Sequence, residues 1–301
     1  MAYVKGLVSV VIPTYQRSDL LTRAIDSVLN QSYEQIECIV VNDNVPNDKY
    51  SLALYDLLKQ YSVDDRFKFI EQEKHINGAE ARNCGIRKAK GEYIAFLDDD
   101  DWWKPQKIER QIAFIQSQSY TCGGVSTLVE FYSHGKPFRW SSPYKDGKIS
   151  LQILRREIDV TSCSILLKHD ALDDAGYFDN SLKRHQEIQL LSFFTYKYEI
   201  KLLPEHLTCV NCDDSVRNPN SEQLVEIKKA FFTSIDPLLK SLPNRELKTI
   251  RTVHELEIAL VEFREHKYFQ AIHRGIKAIS NPASFYMMLR VVTRRLKEHL
   301  G

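Results

Sequence analysis

Gly91-Glu92-Tyr93-Ile94-Ala95-Phe96-Leu97-Asp98-Asp99-Asp100-Asp101 is the stretch from which the rest of this chain can be read. Its apolar, β-branched and aromatic centre, Tyr93 to Leu97, has the composition of a buried strand and ends on four consecutive carboxylates. Carboxylates crowded in this way repel one another unless a cation sits among them. Hard divalent cations prefer oxygen ligands, and when held by one or two protein carboxylates they keep positions open for substrate phosphates. One Asp would be enough to cap a helix beginning near Trp102. Four of them after a core strand point to a metal site. The helix is still expected, with Trp102 and Trp103 packing at its start against the core.

Working outward, residues 7–12 form another continuous apolar run, suited to a strand buried on both faces. Pro13-Thr14-Tyr15-Gln16-Arg17 breaks it, and Leu20, Leu21, Ala24, Ile25, Val28 and Leu29 follow at helical spacing. Residues 36–41 read as a strand ending at Asn42-Asp43-Asn44, residues 50–61 as a helix, 67–70 as a strand, and a further helix opens at Gly78. This alternation predicts an α/β fold with a mostly parallel sheet flanked by helices. In such sheets ligands bind outside the carboxyl ends of the strands. Three of those ends carry chemistry: residues 14–17, Asp43, and residues 98–101. Residues 120–215 read as mixed, with strands over 123–131 and 162–167, a turn over 174–179 and a helix over 183–196. Beyond about residue 216 the pattern is helical.

The chain has 301 residues, of which 43% are hydrophobic and 27% charged, enough for one large domain or for a domain with a smaller appendage. We expect a domain over 1–215 and a helical region over 216–301. The net charge of +1 argues against nucleic acid as a partner. The C-terminal region is nevertheless basic, with 15 Lys and Arg against 9 Asp and Glu from Val216 onward. No run reaches the length of a membrane span and no signal-peptide pattern opens the chain, so a cytoplasmic protein is expected. The six cysteines are scattered, and Cys209 and Cys212 read as reduced structural thiols.

Taken together, residues 10–17, Ile39-Val40-Val41-Asn42-Asp43, Ala81-Arg82-Asn83-Cys84-Gly85-Ile86 and Gly91 to Asp101 with Pro105 and Lys107 resemble the family 2 glycosyltransferases with a GT-A fold. The segment from Gly176-Tyr177-Phe178-Asp179 to His185-Gln186-Glu187 is similar to that family's acceptor-side motif. The resemblance covers residues 7–215. It implies an inverting, metal-dependent transfer of a hexosyl or N-acetylhexosaminyl group from a nucleotide sugar, usually a UDP sugar. Carried over by position, it places Pro13, Thr14, Tyr15, Arg17, Asp43, Arg82, Asp98 and Asp99 about the donor, with Asp43 on the base and Arg82 near the diphosphate. Asp100, together with Asp98, would hold Mn²⁺ or Mg²⁺. Glu187 stands where the family usually presents an Asp, as the base that takes the acceptor proton. The extra methylene shifts its carboxylate by more than about 1 Å, a displacement that matters in catalysis. A retaining route would need a second carboxylate as nucleophile, and none is identified.

The C-terminal residues Ala259, Tyr268, Phe269, Ala271, Ile272, Ala278, Ile279 and Pro282 resemble one tetratricopeptide-type hairpin, which cannot bury its apolar face alone. Phe285, Met288, Val292 and Leu296 lie along one face of a last helix, beside Arg290, Arg294, Arg295 and Lys297. Such a basic amphipathic helix suits either an anionic membrane surface or packing on the domain. The expected partners are therefore a nucleotide-sugar donor and a glycan or lipid-linked glycan acceptor, with peripheral contact at the inner membrane face, in bacterial surface polysaccharide synthesis. A homo-oligomer is compatible with the sequence. The competing reading is a catalytically impaired scaffold that kept the fold. A nucleotidyltransferase fits poorly, because no Gly-rich phosphate loop follows the first strand.

Overall fold

Runs buried on both faces and helices with one apolar stripe build the order found in the computed structural model, which describes residues 3–17, 19–158, 160–213 and 219–279. The elements are β1 (Val4–Thr14), α1 (Leu21–Leu29), β2 (Ile36–Asn42), α2 (Lys49–Leu58), β3 (Phe67–Glu71), α3 (Gly78–Lys88), β4 (Gly91–Phe96), β5 (Trp102–Trp103), α4 (Lys107–Gln116), β6 (Cys122–Ser133) and β7 (Lys136–Trp140). They continue with α5 (Ser150–Leu154), β8 (Ile165–Lys168), α6 (His169–Ala175), α7 (Gln186–Lys197), β9 (Glu199–Asn211), α8 (Ser221–Ser234), α9 (Asp236–Leu239), α10 (Asn244–Arg264) and α11 (Tyr268–Ile279). Two units are distinguished: Met1–Ile149, Val160–Ser181 and Phe193–Asp214 form the first, and Ser150–Asp159, Leu182–Ser192 and Ser215–Gly301 the second.

The first unit is built on a nine-stranded sheet in the order β3-β2-β1-β4-β8-β6-β9-β5, with β7 paired to β6. β1, β2, β3 and β4 pair in parallel. β2 is buried along its whole length, as suits a parallel strand flanked on both sides, and its one charged residue, Glu37, accepts from Ser9 Oγ and pairs with Lys68. β8 then enters antiparallel between β4 and β6, and β9 returns parallel to β6, so the second half of the sheet is mixed. Helix α1 buries Leu21, Ala24, Ile25 and Val28. Helix α3 starts where the Asn77 side chain accepts from the amides of Ala79 and Glu80 at 3.0 and 3.1 Å. It packs so close to β1 that a Cβ on Gly85 would lie 2.3 Å from Val11 Cγ1. Gly85→Ala is accordingly expected to cost about 1–3 kcal/mol, read from urea unfolding; an unchanged midpoint would refute the close contact.

One expectation needs correcting. Trp102 and Trp103 do not begin a helix. They form β5, paired with Cys209 and Thr208 of β9, and α4 begins only at Lys107. The 13-residue strand β9 was not legible as one strand, since Pro204 and alternating charges interrupt its apolar pattern. All six cysteines are free thiols.

The second unit is helical. Helix α8 opens with a capping box between Asn220 and Gln223, and α10 packs against α8 and α11. A polar network lies within it. Buried Lys228 donates to His254 Nδ1 at 2.8 Å and pairs with Glu257, which also meets Arg156 at 3.2 Å; His254 Nε2 donates to Leu154 O at 3.1 Å. Burial and the adjacent Lys228 push the His254 pKa down to about 3. Burial opposes the charge on Glu257, yet Lys228 and Arg156 hold its pKa below the carboxylate range. Both effects have the same sign. A buried neutral His loses stability as pH falls below the ordinary imidazole value of 6.5. A depressed carboxylate contributes above its ordinary value of 4.5 and fails as pH falls further. Amide protection within the second unit, read by hydrogen exchange, should therefore weaken as pH drops from 7 towards 4. Glu257→Gln, which leaves two cations without their carboxylate, should cost about 3–5 kcal/mol at neutral pH; a variant as stable as the parent would overturn this account.

The expected basic helix with Phe285, Met288, Val292 and Leu296 lies outside the described residues, as does Pro282. Among the described residues no helix is long and apolar enough to cross a membrane.

Candidate active site at the strand ends

Because β2, β1 and β4 are neighbours in parallel register, their carboxyl ends deliver Asn42, Thr14 and the acidic run after Phe96 to one edge of the first unit. The four carboxylates do not point the same way. Asp98 pairs with Arg82, Nη2 to Oδ1 at 2.5 Å. Asp99 is buried and accepts from Thr14 Oγ1 at 2.8 Å. Asp100 pairs with Arg17 at 2.5 Å, and the same guanidinium is 3.8 Å from Asp99. Asp101 is buried and accepts from Asn211 N at 2.9 Å, which fastens the acidic loop to the end of β9.

The electrostatics follow from this crowding. Burial, opposed by the Thr14 hydroxyl and reinforced by Asp100, pushes the Asp99 pKa up to about 7. Burial and Asp98 raise Asp100, and burial with Asp98 and Asp100 raises Asp101. A site whose carboxylates resist ionisation and recruit guanidinium groups demands positive charge. Asp98 and Asp100 supply hard oxygen atoms at the partly open side of the cluster, a donor set that fits Mn²⁺ or Mg²⁺ with its remaining positions left to phosphate and water. Among the described residues no group of three or more Asp, Glu, His or Cys side chains converges as a metal cage.

The second feature is the group of side chains around Asp43. This buried carboxylate accepts at Oδ1 from Gln72 Nε2 at 2.7 Å and from the Ile76 amide at 3.2 Å. His75 Nδ1 lies 3.1 Å from Oδ2 and 2.9 Å from the Asp43 carbonyl. Burial raises the Asp43 pKa against these donors. The Tyr15 ring stacks on His75, with centroids 4.1 Å apart and planes 17° apart, and keeps 40% of its surface exposed. A carboxylate beside a partly exposed aromatic pair is suited to a planar, hydrogen-bonding ring.

The profile of the family described as glycosyl transferase family 2 matches residues 9–176. The chain belongs to this family. Among curated relatives, it is 38% identical over 129 residues to TuaG of Bacillus subtilis, named as a candidate teichuronic acid biosynthesis glycosyltransferase, covering 42% of this chain and 49% of TuaG. It is 37% identical over 112 residues to WfaP of Escherichia coli, a UDP-Glc:α-D-GlcNAc-diphosphoundecaprenol β-1,3-glucosyltransferase, covering 37% of this chain and 42% of WfaP. The chain thus spans about half the length of the curated relatives it matches. Among solved structures it is similar to TarS of S. aureus, with a TM-score of 0.61, 18% identity, and coverage of 92% of this chain and 82% of that one. It is also similar to a mannosyltransferase of Pyrobaculum calidifontis solved with GDP-Man and Mn²⁺, with a TM-score of 0.58, 15% identity, and coverage of 95% and 79%. The fold is GT-A, followed by C-terminal helices, as the resemblance implied.

In this family 2 protein the structure brings Thr14, Tyr15, Arg17, Asp43, Arg82 and Asp98 to Asp100 to the strand ends of the first unit. Pro13 is buried within β1 opposite Val41. Glu187 stands in the first turn of α7, in a segment belonging to the second unit. Three side chains here carried no sequence signal. His75 and Gln72 sit in a polar loop without a motif. Arg23 had the spacing of a solvated helix position, yet it donates to the Asp100 carbonyl at 2.6 Å and lies 3.8 Å over the Trp102 ring.

Proposed function

We propose that this chain is an inverting glycosyltransferase that moves a sugar from a nucleotide-sugar donor, UDP-linked, to a hydroxyl of a lipid-linked glycan in bacterial surface polysaccharide synthesis. The observation that carries this reading is the juxtaposition, in one unit, of the Asp43 carboxylate and the stacked Tyr15 and His75 rings with an acidic cluster already paired to Arg17 and Arg82. One end suits a nucleobase and the other a diphosphate with a divalent cation.

In this reading Asp43 accepts from the base and Tyr15 covers it. Thr14 holds Asp99 in place, so that Asp98 and Asp100 face the diphosphate. Asp98 and Asp100 would hold Mn²⁺ or Mg²⁺, which when bound supplies Lewis-acid neutralisation of the leaving diphosphate. Arg17 and Arg82 add charge-assisted hydrogen bonds to the same oxygens. Glu187 takes the acceptor proton, and attack guided by a single base inverts the anomeric centre. The donor class is supported by the UDP-Glc in the name of WfaP and by TarS structures with UDP and UDP-GlcNAc; the acceptor class is supported by the diphosphoundecaprenol in the name of WfaP. Peripheral residence at the inner membrane face would bring such an acceptor within reach.

Calorimetry with UDP, UDP-glucose, UDP-N-acetylglucosamine and GDP-mannose, each in Mn²⁺ and in EDTA, tests the proposal. Metal-dependent binding of UDP and one UDP sugar is expected. Binding of none by the folded protein would replace the enzyme with a scaffold that kept the fold, and preference for GDP-mannose would overturn the donor class.

A further inference from the structure

The chain enters α7 through His185, whose φ of +66° lies in the left-handed region that residues with a Cβ occupy at a steric cost. Its carbonyl nevertheless accepts the first ladder hydrogen bond of the helix, from Gln189 N at 2.9 Å. Something must hold the backbone there, and the ring does so. It stands edge-on to Phe231 at a centroid distance of 5.4 Å and lies 6.4 Å from the His254 ring. That wall is rigid. Phe231 is fully buried and stacked with His254, and His254 is tied at both ring nitrogens, to Lys228 and to the Leu154 carbonyl. The Nε2 of His185 is buried without a hydrogen bond, so this nitrogen adds nothing to the anchor beyond its share of the ring's shape. Burial, with Lys228 and Arg156 nearby, also keeps it uncharged, its pKa pushed down to about 2.

We propose that His185 is a positioning residue: its half-buried ring locks a left-handed turn that aims the first turn of α7, and with it the carboxylate of Glu187 two residues on. The proposal rests on the reading of Glu187 as the base. It also accounts for how a Glu can serve where the family usually has an Asp. The backbone that presents it is set by an anchor of its own, and a residue under strain persists only where its surroundings over-determine it.

The test combines kinetics with amide hydrogen exchange on the full chain. UDP release from UDP-glucose and UDP-N-acetylglucosamine, in Mn²⁺ with water as acceptor, is measured for His185→Ala and His185→Phe, each with Glu187 and with Glu187→Gln. His185→Ala should lower kcat by roughly 10–100-fold, the scale of an ångström-sized displacement, while donor KM stays within about threefold. His185→Phe should keep kcat, since it retains the wedge and removes an unpaired buried nitrogen. In the Glu187→Gln background His185→Ala should cost nothing further, because the two act as one unit. Exchange at the Gln189 amide should quicken by about tenfold in His185→Ala and not in His185→Phe. Unchanged kcat in folded His185→Ala, an equal cost in both backgrounds, or unchanged Gln189 exchange overturns the proposal. Full turnover in Glu187→Gln alone would instead remove the base reading, and the exchange measurement would still judge the anchor.

Discussion

Glu187→Gln should reduce turnover by about 10²–10⁴-fold, the usual worth of a positioned base, while donor affinity in Mn²⁺ stays within about twofold. The substitution keeps the size of the side chain, replaces one acceptor oxygen by a donor amide, and removes the ability to take a proton. The donor contacts proposed for Asp43, Arg17, Arg82 and the acidic run use no atom of Glu187, so they should not register the change. Equilibrium titration with the donor and single-turnover measurement of transfer separate the two quantities. Glu187→Asp is the sharper companion. If the backbone of α7 is arranged for the longer side chain, restoring the family's usual residue should itself cost roughly tenfold or more. A Gln variant with near-parental turnover would mean that the base lies elsewhere.

The second large effect belongs to Asp100. Asp100→Ala should erase the difference between donor affinity measured in Mn²⁺ and in EDTA, and lower turnover by at least about a hundredfold, since a Lewis acid at the leaving group contributes several kcal/mol. The Asp100 side chain is 16% exposed and its charge is opposed by burial and by Asp98. Its loss should therefore not destabilise the fold, and a melting temperature equal to or above that of the parent is expected. Arg17, deprived of its 2.5 Å partner, keeps Asp99 at 3.8 Å. Residual metal-free affinity for UDP should survive, because Asp43 with its neighbours and Arg82 are untouched. Retained metal dependence in this variant would refute the role of Asp100 and shift it to Asp98 or Asp99.

Much of the first unit was legible because its signals are local. The apolar runs of β1, β2 and β4 can be strands only where both faces are covered, and the helical spacing of Leu21, Ala24, Ile25 and Val28 has one face to bury. Parallel strands separated by helices then place their carboxyl ends together, so Thr14, Asp43 and the acidic run could be grouped before any coordinates. What failed was long-range. Trp102 and Trp103 precede Lys-Pro-Gln-Lys in a stretch that reads equally well as a helix start. Their strand character comes from Cys209 and Thr208, more than a hundred residues away. His75 and Gln72 belong to the site only because the loop after β3 folds back onto Asp43.

The sequence by itself determined the alternating architecture, the family and the chemical character of the strand ends, because those depend on composition and periodicity within one element or its immediate neighbours. The tertiary structure alone decided which cation meets which carboxylate, that Arg82 goes to Asp98 and Arg17 to Asp100, and that His185 is held left-handed by Phe231. Such pairings join side chains far apart in the chain. Their geometry is set by packing against groups that no local pattern contains.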